Sequence, residues 1–116
     1  PKFKDKISGI AMNVPVANGS CVDLTTEMKR MPSIDEANKV FQHASMNELK
    51  GLIRFTEDPI VSSDAIGGGE TMLFDSKATM IASEKLLKTI AWFDNGWGFA
   101  NRILELVEAY SKKERS

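Results

Sequence analysis

Among 116 residues there is one cysteine, one histidine and one tyrosine, with four prolines and aromatic content of 8%. A single cysteine excludes an internal disulfide and any multi-cysteine metal cage, and fits a reducing, cytoplasmic setting. No apolar run approaches the roughly 20 residues that span a bilayer, so no membrane association is expected. The net charge of -1 comes from 15 basic and 16 acidic residues mixed throughout. That mixture lacks the basic stripe phosphate-backbone binding requires, and nucleic acid is excluded as a partner. The chain opens at Pro1 without an initiator Met or signal-like segment, the pattern of a processed or truncated piece.

What remains is ordinary globular composition, 42% hydrophobic and 27% charged. A chain this long can bury roughly 65% of its unfolded surface as one domain, or part of one. Residues 6–12 read as a short strand leading to a turn at Pro15. From Ser20 to Met28 polarity alternates. Val22, Leu24 and Met28 share one face with Thr26, and Cys21, Asp23, Thr25, Glu27 and Lys29 share the other, the pattern of a half-buried strand.

Ser33 and Glu36 have capping-box spacing, so a helix starts at Pro32-Ser33-Ile34. Ile34, Ala37, Val40, Phe41 and Ala44 give it an apolar stripe, and Asn47 or Lys50-Gly51 ends the region. Leu52–Thr56 is a second alternating strand, and 59–63 an edge segment because proline cannot donate to a ladder. Gly67-Gly68-Gly69 lies in a loop between strands, without the strand-to-helix context of a phosphate cradle. Thr71–Phe74 and Ala78–Ala82 read as a hairpin about Asp75-Ser76-Lys77. Leu86–Phe93 is apolar on both faces, a central strand. Asp94 or Asn95 then caps a last helix, with Ala100, Ile103, Leu104, Val107 and Tyr110 as its buried stripe and Glu108–Lys112 as an i,i+4 pair. Strands outnumber helices without βαβ alternation, so the class is α+β with a mostly antiparallel sheet.

Several segments together carry a resemblance. Gly9-Ile10-Ala11-Met12-Asn13-Val14-Pro15 is similar to the segment Gly-Met-Ala-Phe-Arg-Val-Pro of the glyceraldehyde-3-phosphate dehydrogenase family. Asn18, Ser20, Val22-Asp23-Leu24-Thr25, Leu49-Lys50-Gly51, Thr56-Glu57-Asp58, Val61-Ser62-Ser63-Asp64 and Phe74-Asp75 continue it in order. Trp92 to Arg102 resembles the junction that closes that family's catalytic domain, and Trp97 with Gly98-Phe99-Ala100-Asn101-Arg102 also resembles the erythrose-4-phosphate dehydrogenase branch.

The resemblance implies that residues 1–116 form the C-terminal segment, roughly the last third, of a dehydrogenase subunit, with no nucleotide-binding domain. It implies an incomplete catalytic-domain fold with helices on one face of the sheet and the other face meeting a second subunit. The parent activity is aldehyde oxidation through a thioester, with hydride passing to NAD or NADP. Asn95 takes the position that holds the nicotinamide carboxamide, and Phe99 that of a tyrosine near the ring. Core packing competes with the latter role. Asn13 replaces a phosphate-binding arginine and cannot supply a charged fork to a dianion. Val16 and Met72 replace a threonine and a serine.

The nucleophilic cysteine and catalytic histidine of the family match no position here. Cys21 and His43 read as a packed thiol and a solvated histidine, leaving no catalytic residue and no metal ligand. For the isolated chain the expectation is therefore no turnover and no cofactor, with a homo-oligomer partner at the open sheet face or the missing N-terminal portion. Two alternatives stand beside this one: a stand-alone, non-enzymatic interaction module derived from the same family, which the losses at Asn13, Val16 and Met72 favour, and an unrelated small α+β domain.

Overall fold

A computed structural model describes residues 2–114. The elements run β1 (Ser20–Glu27), α1 (Ile34–Met46), β2 (Ile53–Thr56), a one-turn 3-10 helix (Ser62–Ala65), β3 (Met72–Ser83), β4 (Leu86–Phe93) and α2 (Asn95–Glu114). One sheet has the order β1-β4-β3-β2. β4 pairs antiparallel with β1 and β3, and only the short β2 runs parallel to its neighbour β3. The α+β class and the mostly antiparallel sheet stand as read from sequence.

α1 begins where its capping chemistry dictates. The Ser33 hydroxyl accepts the Glu36 amide at 3.1 Å, and Glu36 accepts the Ser33 amide at 2.8 Å. Two otherwise orphaned donors are satisfied reciprocally. The helix ends at Asn47, whose backbone amide reaches back to His43 and Ala44. Of its expected apolar stripe, Ala37, Phe41 and Ala44 face β2 and β3, with both alanines buried, whereas Ile34 and Val40 are exposed. Phe41 stacks on Phe74, ring centroids 3.9 Å apart, and the ring of Phe55, Phe74's ladder partner on β2, lies 5.9 Å away. Phe74, 1% exposed, is the centre of this small core.

Four local expectations need correction. Residues 6–12 form no strand: the segment has no ladder partner among the described residues, and Ile7, Ile10 and Met12 are exposed. Residues 59–63 are not an edge strand. Asp64 accepts the Val61 amide at 2.8 Å and winds Ser62–Ala65 into a 3-10 turn.

The hairpin about Asp75-Ser76-Lys77 is instead a bulge inside one continuous strand, β3. The Asp75 carboxylate takes the amides of Lys77 and Ala78, each at 3.1 Å, which is turn chemistry. Beyond it, however, Met80–Ser83 rejoins the ladder to β4. Five positions on β3 separate Asp75 from Met80, against two on β4 between Ile90 and Lys88. The hairpin proper turns at Glu84-Lys85 and joins β3 to β4.

The fourth correction concerns burial. The apolar stripe of α2 is exposed, with Leu104 at 63% and Tyr110 at 63%. β1 is likewise exposed along most of its length, because α1 packs chiefly over the β2–β3 half of the sheet. Val22 and Leu24 of β1, with Phe41, Met72, Phe74, Ala91 and Phe93, line an open apolar trough of about 260 Å³ on that face. β4 is central in pairing, yet only Leu87 and Thr89 are buried.

The shape follows. The radius of gyration is 16.2 Å, where about 13 Å is usual for a compact chain near this length. The accessible surface is 9119 Å², against about 6,300 Å² for a compact monomer of 12.8 kDa.

Candidate functional site

The site is built where β4 hands over to α2. Asp94, not Asn95, caps the helix: its Oδ1 accepts the Trp97 amide at 3.1 Å. Its Oδ2 accepts the Gly67 amide at 3.1 Å and the Asn18 side-chain amide at 3.5 Å. These donors, the Trp97 and Gly67 backbone amides foremost, hold the Asp94 carboxyl below the usual carboxylate range.

That arrangement frees Asn95. It is the first residue of α2 and exposed, and among the described residues its carboxamide makes no hydrogen bond. A side-chain amide both donates and accepts, so an available one can pair with another carboxamide in both directions. Phe99 stands one turn on, at i+4 from Asn95 and therefore on the same helix face. It is 67% exposed, so nothing within residues 2–114 packs over it. Asn13 is exposed in the irregular segment before β1, and no hydrogen bond joins it to Asn95 or Phe99 among the described residues. The structure thus places Asn95 and Phe99 on one helix face and joins Asn13 to neither by a hydrogen bond.

Cys21 and His43 lie on different sides of the sheet. Cys21 alternates with Val22, which faces α1, and so projects to the opposite face, beside its ladder partner Trp92. His43 is on the outer side of α1, with Nδ1 3.9 Å from Glu48. Cys21 is exposed. Even so, its thiol is pushed up, first by partial burial and then by the charges of Asp23 and Asp75. This is opposite to what nucleophilic activation needs. The same face carries the Lys88–Asp23 pair at 2.9 Å and the Trp92 indole N–H, which donates to Asp75 at 3.2 Å. No group of three or more metal-ligating side chains occurs among the described residues, and no helix there is long and apolar enough to cross a membrane.

Two features of the junction escaped sequence reasoning. One is the grip of Asp94 on a loop 27 positions away in the chain. The other is Arg102, whose guanidinium donates to Thr71 Oγ1 and the Gly69 carbonyl, each at 3.1 Å, and to Glu105 at 2.6 Å. The tight helix–loop approach did leave a signal in sequence: a glycine at 98 inside an otherwise good helix.

A family model described as the C-terminal domain of glyceraldehyde 3-phosphate dehydrogenase matches residues 1–95. Glyceraldehyde-3-phosphate dehydrogenase 2 of Streptomyces avermitilis is 44% identical over 107 residues, covering 92% of this chain and 32% of that protein. The Mycobacterium leprae enzyme is 38% identical over 112 residues, covering 97% of this chain and 33% of its own. The cytosolic Arabidopsis thaliana protein is 35% identical over 112 residues, again 97% and 33%. The chain spans about a third of the length of the curated relatives it matches.

Proposed function

Because this chain belongs to the glyceraldehyde-3-phosphate dehydrogenase family, we propose that it is the supporting C-terminal third of a cytoplasmic oxidoreductase subunit. That enzyme oxidises an aldehyde to a thioester, and NAD or NADP, when bound, accepts the hydride. This third contributes the sheet, the closing helix and Asn95, whose unengaged carboxamide suits the nicotinamide carboxamide. Phe99 flanks the ring from one turn further on. Neutral Asn13 supplies no charge for a substrate phosphate, so other groups of the enzyme carry that contact. The open face with Cys21, Asp23 and Lys88 is the surface offered to a second subunit. Its mixed polarity is compatible with an oligomer interface. Alone, the chain turns nothing over.

The observation that carries this reading is exposed surface. Some 9119 Å² remains accessible, about 2,800 Å² more than a monomer of this mass leaves, and the excess includes the apolar trough and the α2 stripe. Such apolar faces call for covering protein. An interaction module would bring a partner to the same faces, so the two readings part on the length of the native product. The test is the intact mass of the native gene product. A subunit about three times 12.8 kDa supports the proposal. A native product of this chain's own mass overturns it in favour of the module.

A further inference from the structure

The Gly67–Thr71 loop meets the start of α2 at three successive points. Asp94 accepts the Gly67 amide at 3.1 Å. Gly98 is buried, and a methyl group in place of its hydrogen would stand 3.3 Å from the Glu70 carbonyl oxygen. Arg102 donates through Nη2 to the Gly69 carbonyl at 3.1 Å, and through Nη1 to Thr71 Oγ1 at 3.1 Å and the Gly51 carbonyl at 3.4 Å. Positions 94, 98 and 102 are four apart, so they form one stripe along the helix. The carboxylate takes the loop's N–H and the guanidinium takes its C=O. Each charged end therefore meets the backbone group of complementary polarity.

Beyond this seat α2 has little to hold it, since Ile103, Leu104, Val107 and Tyr110 are all exposed. Its direction, and with it the placement of Asn95, depends on the first two turns. We propose that Asp94, Gly98 and Arg102, seated on the Gly67–Thr71 loop, are positioning residues that aim Asn95 at the cofactor. This rests on the role given to Asn95 above. Asn95 and Phe99 follow 94 and 98 by one residue, about 100° around the helix. Fixing one stripe therefore fixes the other.

Asp94→Asn separates the seat from the cap. Asparagine is a good N-cap and keeps an oxygen for Trp97. Its amide nitrogen then faces the Gly67 amide and the Asn18 side-chain amide, donor against donor. Arg102→Lys keeps charge but loses the fork. Gly98→Ala favours helix while crowding the Glu70 carbonyl.

Two measurements test the proposal. In the first, nitroxide labels on Cys21, the sole cysteine, and on Ser111→Cys report the α2-to-sheet distance by pulsed dipolar spectroscopy. Tilting α2 by about 10° at the seat moves residue 111 by about 4 Å, given 1.5 Å of rise per residue. The expected result is one narrow distribution for the reference chain and a shifted or broadened one in Asp94→Asn and Arg102→Ala, with Arg102→Lys between. Should those variants lose helix by circular dichroism, Gly98→Ala shows the same displacement with helix intact. Unchanged distributions in folded Asp94→Asn, Arg102→Ala and Gly98→Ala overturn the seat.

The second measurement uses a complete subunit ending in this segment. Asn95→Ala and Asp94→Asn each raise the cofactor KM about 3- to 10-fold, the worth of one hydrogen bond, with a smaller change in kcat. An effect of Asn95→Ala with none of Asp94→Asn overturns the positioning role. No effect of Asn95→Ala overturns instead the role of Asn95, and the spin-label distances still decide whether the seat exists.

Discussion

The ring of Phe41 on α1 lies over that of Phe74 on β3, centroids 3.9 Å apart and planes within 14°. This stack is where helix and sheet become one body, because α1 packs chiefly on β2 and β3. Replacing the 1%-exposed Phe74 by Ala is expected to cost about 3–5 kcal/mol in urea unfolding. Phe41→Ala costs less, since that ring is only half-buried beside the trough. Equal losses at the two positions would place the core elsewhere.

The capping box of α1 gives a smaller, separable effect. Ser33→Ala removes the acceptor for the Glu36 amide and is expected to lower stability by about 1 kcal/mol, with the unfolding m-value unchanged. Ser33→Asp, which keeps a capping oxygen, restores most of the loss.

Two carboxylates make the fold sensitive to acid. Asp94 is held low by the Trp97 and Gly67 amides, and Glu36 by the Ser33 amide and then the charge of Arg30. Groups depressed on folding contribute stability that is complete above the unfolded value, about pH 4, and is lost as pH falls through the folded one. Stability at neutral pH is therefore flat with respect to these two groups and drops below about pH 4. Asp94→Asn flattens part of that drop in a pH series of denaturation midpoints. An undiminished drop in the variant counts against the hydrogen bonds assigned to Asp94.

Cys21 is exposed, yet it is expected to react slowly for its exposure. Its thiol is raised by partial burial and by Asp23 and Asp75, so iodoacetamide should alkylate it more slowly at pH 7.5 than it does a free cysteine. Asp23→Asn speeds the reaction. A rate above that of free cysteine would show an activated thiolate and reopen the question of a nucleophile.

Sequence alone revealed what local chemistry determines. The capping box at Ser33 and Glu36, the alternation in β1 and the two-sided apolar run of β4 each specify their element within a few residues. The Asp75 turn shows where that stops. Its side chain wraps the Lys77 and Ala78 amides in a hairpin or a bulge alike, and only the renewed pairing of Met80–Ser83 with β4 decides between them. The periodicity of α2 was readable too, but periodicity says which face is apolar and not whether anything covers it. At the junction, Asn95 was visible through family resemblance. The contact between Asp94 and Gly67 joins residues 27 apart through a backbone amide, a donor every residue carries and no local pattern marks.

The central proposal is that this chain supplies the scaffold and Asn95 to a dehydrogenase whose reacting groups lie elsewhere in the subunit. The most direct measurement mixes the 116-residue chain with a phosphorylated aldehyde, inorganic phosphate and oxidised NAD or NADP, and follows reduced cofactor by absorbance. The account predicts no rate above the protein-free blank. Turnover that scales with chain concentration and disappears when Cys21 is alkylated would contradict it.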